Sequence, residues 1–269
     1  MPDSMPSTMR GAKRTLGVGI LASFLLLSFG PQNLLRARPL RIGYFTVAPH
    51  AMPGPQGAPQ GIAVEYFKIV AGEMPLEEME FIQLPLGRLL RELEDNRIDM
   101  ALLLAKNAER AGKFVYPEES FCVTKPSIAV SASNPLERVS SVNDLLPLTF
   151  HETPANYRTT IMRDPRLKIE PLTGEDFTRR CYAMLVAGRI DACYQPDHYP
   201  IQFTALRKEF QSKIRILYLP DPPIGLYSVF SKVGAPRYLD RYEKALATVK
   251  RHTTYGAIFE QFITDYKEK

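Results

Sequence analysis

The sequence predicts an α/β protein of two related lobes with a site between them. Three observations predict it. Residues 40–117 alternate as strand, helix, strand, helix, strand, and residues 135–219 repeat that alternation. The motif Leu93-x-x-x-Arg97-Ile98-Asp99 recurs as Leu185-x-x-x-Arg189-Ile190-Asp191, 92 residues later. Both copies fall where a predicted helix hands over to a predicted strand. The order β-α-β-α-β points to a mostly parallel sheet, whose ligands sit beyond the carboxyl ends of the strands.

The elements follow in order. Leu40–Thr46 alternates and is rich in β formers, so it reads as a strand. His50–Gln60 holds three Pro and two Gly and reads as a loop. Gly61–Met74 has helical spacing, Met79–Leu84 is a second strand, and Leu86–Asn96 is an amphipathic helix with Leu86, Leu89, Leu90 and Leu93 inward. Ile98–Leu104 is an apolar strand leading to Ala105–Arg110, a polar turn that ends on a cation. Phe121–Ser131 is a longer extended segment and reads as a crossing between lobes. In the second lobe Val142–Leu146 leads into a strand at Leu148–Phe150, and His151–Pro154 is a polar turn opening a helix near Ala155–Met162. A strand at Leu167–Leu172, a helix at Asp176–Ala187, a strand at Ile190–Tyr194, a helix at His198–Phe210 and a strand at Ile214–Leu219 complete it. Asp221–Pro223 and Gly225–Phe230 read as the return crossing. Pro236–His252 and Tyr255–Tyr266 are closing helices expected on the first lobe. The lobes are therefore expected as 39–125 with 226–269, and 126–225.

Composition narrows the function classes. With 45% hydrophobic and 23% charged residues the chain is a globular protein. Its net charge of +5 belongs mostly to the first 38 residues, where Arg10, Lys13, Arg14, Arg36 and Arg38 face only Asp3. The remaining 231 residues carry +1. That leaves no basic stripe for a nucleic acid. Ahead of the folded part, Arg10, Lys13 and Arg14 precede Leu16–Phe29, an apolar run of 14 residues. This is short for a membrane span and reads as a secretory signal, with an uncleaved anchor as the alternative. Either way the folded part is expected in the periplasm. The cysteines Cys122, Cys181 and Cys193 have no C-x-x-C spacing, so no zinc site is signalled. They are expected as buried small hydrophobes, a disulfide between Cys181 and Cys193 being the alternative. No H-E-x-x-H, G-x-S-x-G or P-loop pattern occurs, and the four histidines lack metal-ligand spacing. No catalytic residue, metal or cofactor is expected.

LRIGYF at 40–45, Gly61-Ile62-x-Val64-x-x-Phe67, the Arg97-Ile98-Asp99 joint, Glu109-Arg110 before Phe114-x-Tyr116-Pro117, Asn143-Asp144-Leu145, Ala187–Ala192 and Tyr255-Gly256-x-Ile258-Phe259 form an ordered set. This set resembles the family 3 extracellular solute-binding proteins, of the type 2 periplasmic-binding-protein fold. The resemblance implies two α/β lobes joined by two crossings and closing by hinge motion on a small solute. It also implies a permease or membrane sensor as partner, and a monomer.

The resemblance suggests site residues. Arg110 matches the arginine that grips a ligand carboxylate bidentately; the alternative is a surface arginine near a helix start. Ala105, Lys106 and Asn107 occupy the loop where members supply a backbone N–H and a hydroxyl, and here the hydroxyl is missing. Tyr44, Phe45 and His50 lie where members place an aromatic over the ligand. Val47 takes the usual aromatic position, and strand alternation buries either Tyr44 or Phe45. Glu152 and Thr153 stand at the second lobe's expected helix start, which favours an anion, with His151 replacing the usual glycine. Thr153 reads equally as a plain cap before Pro154. Asp197 lies one residue from the acid that members use for an amino group, Pro196 being at the aligned place; its other reading is a cap before His198. The expected activity is capture of a small polar, carboxylate-bearing, amino-acid-like solute. Two alternatives stand beside it. One is a secreted lyase or dehydratase on the same fold, using His50, His151, His198 and Glu152 for acid–base work. The other is a signalling module with a degraded pocket.

Overall fold

The computed structural model describes residues 38–54, 57–76, 78–174 and 176–267. The expected leader therefore lies outside the described residues. Among those described, twelve strands and seven helices build two five-stranded sheets in one compact unit.

The first sheet has the order β4-β1-β5-β12-β6. Its members are β1 (Leu40–Tyr44), β4 (Met79–Gln83), β5 (Met100–Ala105), β6 (Cys122–Thr124) and β12 (Ile224–Phe230). The second has the order β11-β7-β10-β8-β9. It contains β7 (Ser127–Ser131), β8 (Thr149–Glu152), β9 (Lys168–Pro171), β10 (Ala192–Gln195) and β11 (Ile214–Tyr218). A small ribbon, β2 (Met52–Pro53) with β3 (Pro59–Gln60), sits in the first long loop. Both main sheets are mixed rather than mostly parallel. β1 runs parallel to β4 and β5, and β8 parallel to β9 and β10. β12 opposes β5 and β6, and β7 opposes β10 and β11. The reason is that the crossing segments join the sheets as strands and run against the βαβ units they connect.

Helices cover both faces of the first sheet. The cluster on one face joins α1 (Ile62–Gly72), α6 (Ala235–Lys250) and α7 (Tyr255–Lys267) to Leu40, Ile42, Met100 and Leu102. On the other, α2 (Leu86–Glu94) buries Leu86, Leu89 and Leu93 against Ala101, Leu104 and Val229. The second sheet buries Ile128, Val130, Phe150 and Tyr194 on one side. On its other side α4 (Phe177–Val186) and α5 (His198–Ala205) cover Ala129 and Cys193. This is the period-2 alternation of a sheet covered on both faces. β5 breaks it once: Leu103 has φ +63°, and the pairing with β12 skips a residue there. The bulge turns Leu103 and Ala105 to the same face as Leu102.

The repeated Arg-Ile-Asp joint has one structural use in both halves. Asp99 Oδ2 accepts the amide of Arg41 at 2.9 Å, and Asp191 Oδ2 accepts that of Thr149 at 2.9 Å. Each aspartate leaves its helix-to-strand turn and pins the start of the neighbouring strand, β1 or β8. In the first half Arg38 and Arg41 add ion pairs to Asp99.

Two expected elements differ. The turn Ala105–Arg110 becomes a short helix, α3 (Ala108–Lys113), because the Asn107 side chain accepts the Arg110 amide. The helix expected near Ala155–Met162 is absent apart from a 3-10 turn at Ile161–Arg163, since Ala155 takes φ +61°. Cys181 and Cys193 are joined by a disulfide that ties α4 to β10, and Cys122 is buried and free.

Candidate functional site

A cavity with about 800 Å³ of non-atom space, open solvent at its mouth included, is walled by residues of both halves. From the first come the loop after β1, the end of β5 and α3. From the second come the loop after β8, the start of α4 and the end of β10. Parallel strands place their following loops together at one edge of each sheet, so the cavity forms there.

Arg110 is the cation of this wall. Its residue is 7% exposed. Nη1 donates to the Ala105 carbonyl at 3.1 Å, and Nη2 reaches across to the Ala155 carbonyl of the second half at 2.9 Å. Tyr116 Oη donates to the same Ala105 carbonyl. Among the described residues Arg110 makes no ion pair. Burial accordingly lowers its pKa, with Tyr116, Glu109 and Tyr157 only partly offsetting the effect.

His50 is held by local backbone geometry. The carbonyls of Pro49 and His50 accept the amides of Ile62 and Ala63, closing the N-terminus of α1. Gly61 permits this approach: it has φ +123°, and a Cβ there would lie 2.4 Å from the His50 carbonyl oxygen. The His50 ring is fully buried, with Nδ1 bonded to Tyr255 Oη of α7 and Nε2 2.7 Å from Asp197 Oδ2. Asp197 also caps α5, taking the Tyr199 amide at 3.0 Å and Thr124 Oγ1 at 2.8 Å on Oδ1. Burial pushes the Asp197 carboxyl up, but the charge of His50 and the bonds from His50 and Thr124 outweigh it and hold the pKa below the usual carboxylate value. Beside it, His198 Nδ1 meets Thr124 Oγ1 at 2.7 Å and the Lys125 amide at 3.2 Å. Tyr199 lies 4.6 Å from Phe259, ring to ring, so α5 and α7 meet through aromatics.

The opposite wall is the loop 153–159. Tyr194 Oη donates to the Tyr157 carbonyl at 2.9 Å and accepts the Thr159 amide at 3.2 Å. Glu152 pairs with Arg158. These ties present Asn156 and Tyr157 to the cavity, and Asn156 Nδ2 is buried without a hydrogen-bond partner. The start of α4 adds Asp176, Phe177 and Thr178. Asp176 has φ +49° and makes no side-chain capping bond. Gln195, 7% exposed, closes the floor from β10.

The structure brings Arg110, Ala105, Phe45, His50, Thr153 and Asp197 to the cavity. It does not bring Tyr44, Lys106 or Glu152. Tyr44 shares the inward parity of Leu40 and Ile42 and is buried with Ala51 and Val64. Lys106 is exposed and sits over the Tyr116 ring at 5.5 Å. The Glu152 carboxylate is turned to Arg158. With no helix at 155–162, Thr153 caps nothing. His50 is packed into the protein rather than solvated. Sequence reasoning missed Asn156, Tyr157, Asp176, Thr178 and Gln195. The one signal was the position of Gln195 at the end of a predicted strand; the others depend on the irregular path after β8 and on how α4 is set.

The histidines do not form an acid–base centre. His151 lies 3.5 Å from Glu170 on the β8–β9 pair, and neither it nor His198 lines the cavity. Among the described residues no group of three or more His, Cys, Asp or Glu is arranged to hold a metal, and no helix is long and apolar enough to cross a membrane.

Two α/β lobes, two crossings and a cavity walled by strand-end loops of both lobes define a two-lobed binding protein. The chain belongs to family 3 of the bacterial extracellular solute-binding proteins, which it matches over residues 40–265. This is a family of binding proteins, not of enzymes. Among solved structures, the chain resembles the GluR0 ligand-binding core of Nostoc punctiforme in complex with L-glutamate. The TM-score is 0.68 at 17% identity, over 83% of this chain and 98% of that one. The BvgS VFT2 domain of Bordetella pertussis matches with a TM-score of 0.67 at 16% identity, over 82% and 92%. The arginine-, lysine-, histidine-binding protein ArtJ of Geobacillus stearothermophilus matches with 0.66 at 17%, over 83% and 94%. At these identities the likeness is one of fold. No curated protein matches the chain.

Proposed function

We propose that the protein captures a small polar solute bearing a carboxylate, of amino-acid size, between its lobes and passes it to an ABC importer or reports it to a membrane sensor. Arg110 carries this reading. It is a buried cation in the cavity wall whose hydrogen bonds go to two carbonyls and to no acid. A desolvated charge without a counter-charge is costly, and an incoming carboxylate relieves that cost through the planar donor fork. Its bond to Ala155 crosses the cavity, so a ligand held there touches both lobes, as hinge closure requires. Relatives in fold include the binding protein of an amino acid ABC transporter and a histidine kinase sensor domain, which supports both delivery routes. In this reading residues 39–125 with 226–269 and residues 126–225 are the two moving lobes of a monomer. The secretory signal or anchor read from the sequence of residues 1–38 supports a periplasmic location.

A thermal-shift screen of amino acids, organic acids and polyamines tests the proposal. A ligand at 100 to 1,000 times its Kd stabilises by about 3–4 kcal/mol. Arg110→Ala is expected to abolish every shift given by a carboxylate; an unchanged shift removes Arg110 from the site.

A further inference from the structure

A cavity that gripped an α-amino acid at both its charged groups would present a free cation and a free acid. The cation is Arg110. Two acids reach the wall, Asp197 and Asp176. Asp197 already holds three hydrogen bonds: Oδ2 meets His50 Nε2 at 2.7 Å, while Oδ1 takes Thr124 Oγ1 at 2.8 Å and the Tyr199 amide at 3.0 Å. An ammonium would have to share Oδ2 with a fully buried histidine that is anchored at its other nitrogen by Tyr255. Asp176 stands at the N-terminus of α4, ten residues long, and in the field of Arg179. A cation placed there meets the positive end of the helix and its unpaired N–H groups.

The rest of the wall is rich in donors. Arg110 has five N–H groups, and its two protein bonds leave others for a ligand. Asn156 Nδ2 is a buried donor without a partner. Thr178, at the start of α4, lines the same space. Gln195 and Thr153 make no side-chain hydrogen bond among the described residues. Such a wall suits a ligand that is mostly acceptor oxygens.

We infer that the solute is a small organic acid without an α-ammonium group, such as a 2-oxo acid, a 2-hydroxy acid or a simple dicarboxylate. Its carboxylate lies on Arg110 and its further oxygens on the neutral donors Asn156, Thr178 and Gln195, away from the Asp176 carboxylate. His50 is the specificity-determining residue, because it competes with the ligand for Asp197 Oδ2. The inference rests on the carboxylate reading of Arg110 and narrows it.

The test is calorimetric titration of the wild-type chain with matched pairs: glutamate against 2-oxoglutarate, aspartate against malate, phenylalanine against phenylpyruvate, alanine against lactate. In the pair that fits the cavity, the member without the amino group is expected to bind at least tenfold more tightly. His50→Phe, which keeps the ring and frees Asp197, should move that preference toward the amino acid. Equal or tighter binding of the amino acids by the wild type overturns the inference and leaves carboxylate capture standing. Failure of both series to bind overturns the inference and carboxylate capture together.

Discussion

His50 Nε2 lies 2.7 Å from Asp197 Oδ2, a contact between residues 147 positions apart. His50 belongs to the loop between β1 and α1 of the first lobe. Asp197 caps α5 beneath the second sheet. Tyr255 of α7 holds the other ring nitrogen. The pair therefore ties three parts of the chain together under the cavity, and it does so where both partners are buried.

His50→Ala is expected to destabilise the protein by about 3–5 kcal/mol, because it leaves a buried carboxylate without its partner. Urea unfolding followed by circular dichroism measures this. A loss below about 1 kcal/mol would show the pair to be incidental.

The two repeat aspartates should differ in weight. Asp99 is 1% exposed and holds the Arg41 amide together with two arginines. Asp191 is exposed and holds one amide. Asp99→Ala is expected to cost about 3 kcal/mol, and Asp191→Ala about 1 kcal/mol or less. Hydrogen exchange should speed up at the Arg41 and Thr149 amides respectively. Equal costs for the two variants would contradict this account.

Stability should depend on pH in two windows. Burial disfavours the charged imidazole of His198 and lowers its pKa from the ordinary 6.5, so the unfolded chain binds more protons just below that value. Its contribution is full above about pH 6.5 and declines as pH falls below it. Asp197 acts lower. Its folded pKa is depressed, so its contribution is present above the ordinary value of 3.8 and is lost as pH falls through the folded one. Melting temperature should drop between pH 7.5 and 5.5, and His198→Gln should flatten that drop. An identical drop in the variant would assign it to other groups.

The disulfide closes a separation of 12 residues and fastens α4, which carries Phe177 and Thr178 to the cavity, to β10, which carries Gln195. Cys181→Ser is expected to lower stability by about 3 kcal/mol. Dithiothreitol should lower the melting temperature of the wild type and not that of the variant. A reductant effect of equal size on both would falsify the assignment.

Much of the fold was legible because it follows from local patterns. Leu86, Leu89 and Leu93 at helical spacing mark α2, and alternation marks β1. The repeated Arg-Ile-Asp joint marks the two lobes, and its aspartates prove to serve the same purpose in each. The position of Arg110 after a buried strand was legible too; the cap that Asn107 supplies was not. The helix expected near Ala155 was not formed, since Tyr194 and Glu152 hold that segment in an irregular path from outside it. No local pattern reports such ties. The parity of Tyr44 and Phe45 was ambiguous for a related reason: alternation says that one is buried, and only the packed sheet says which.

The sequence by itself determined the two α/β lobes, the joint that starts each strand pair, and the place of Arg110 after a buried strand, because these depend on periodicity and on short spacings along the chain. Only the tertiary structure decided that Asp197 is bonded to His50 and Thr124, and that Asn156, Thr178 and Gln195 complete the wall. Those facts turn on which residues meet across tens of positions of sequence, and across 147 for His50 and Asp197. There burial and hydrogen-bond saturation, not spacing, determine what a charged group has left to offer a solute.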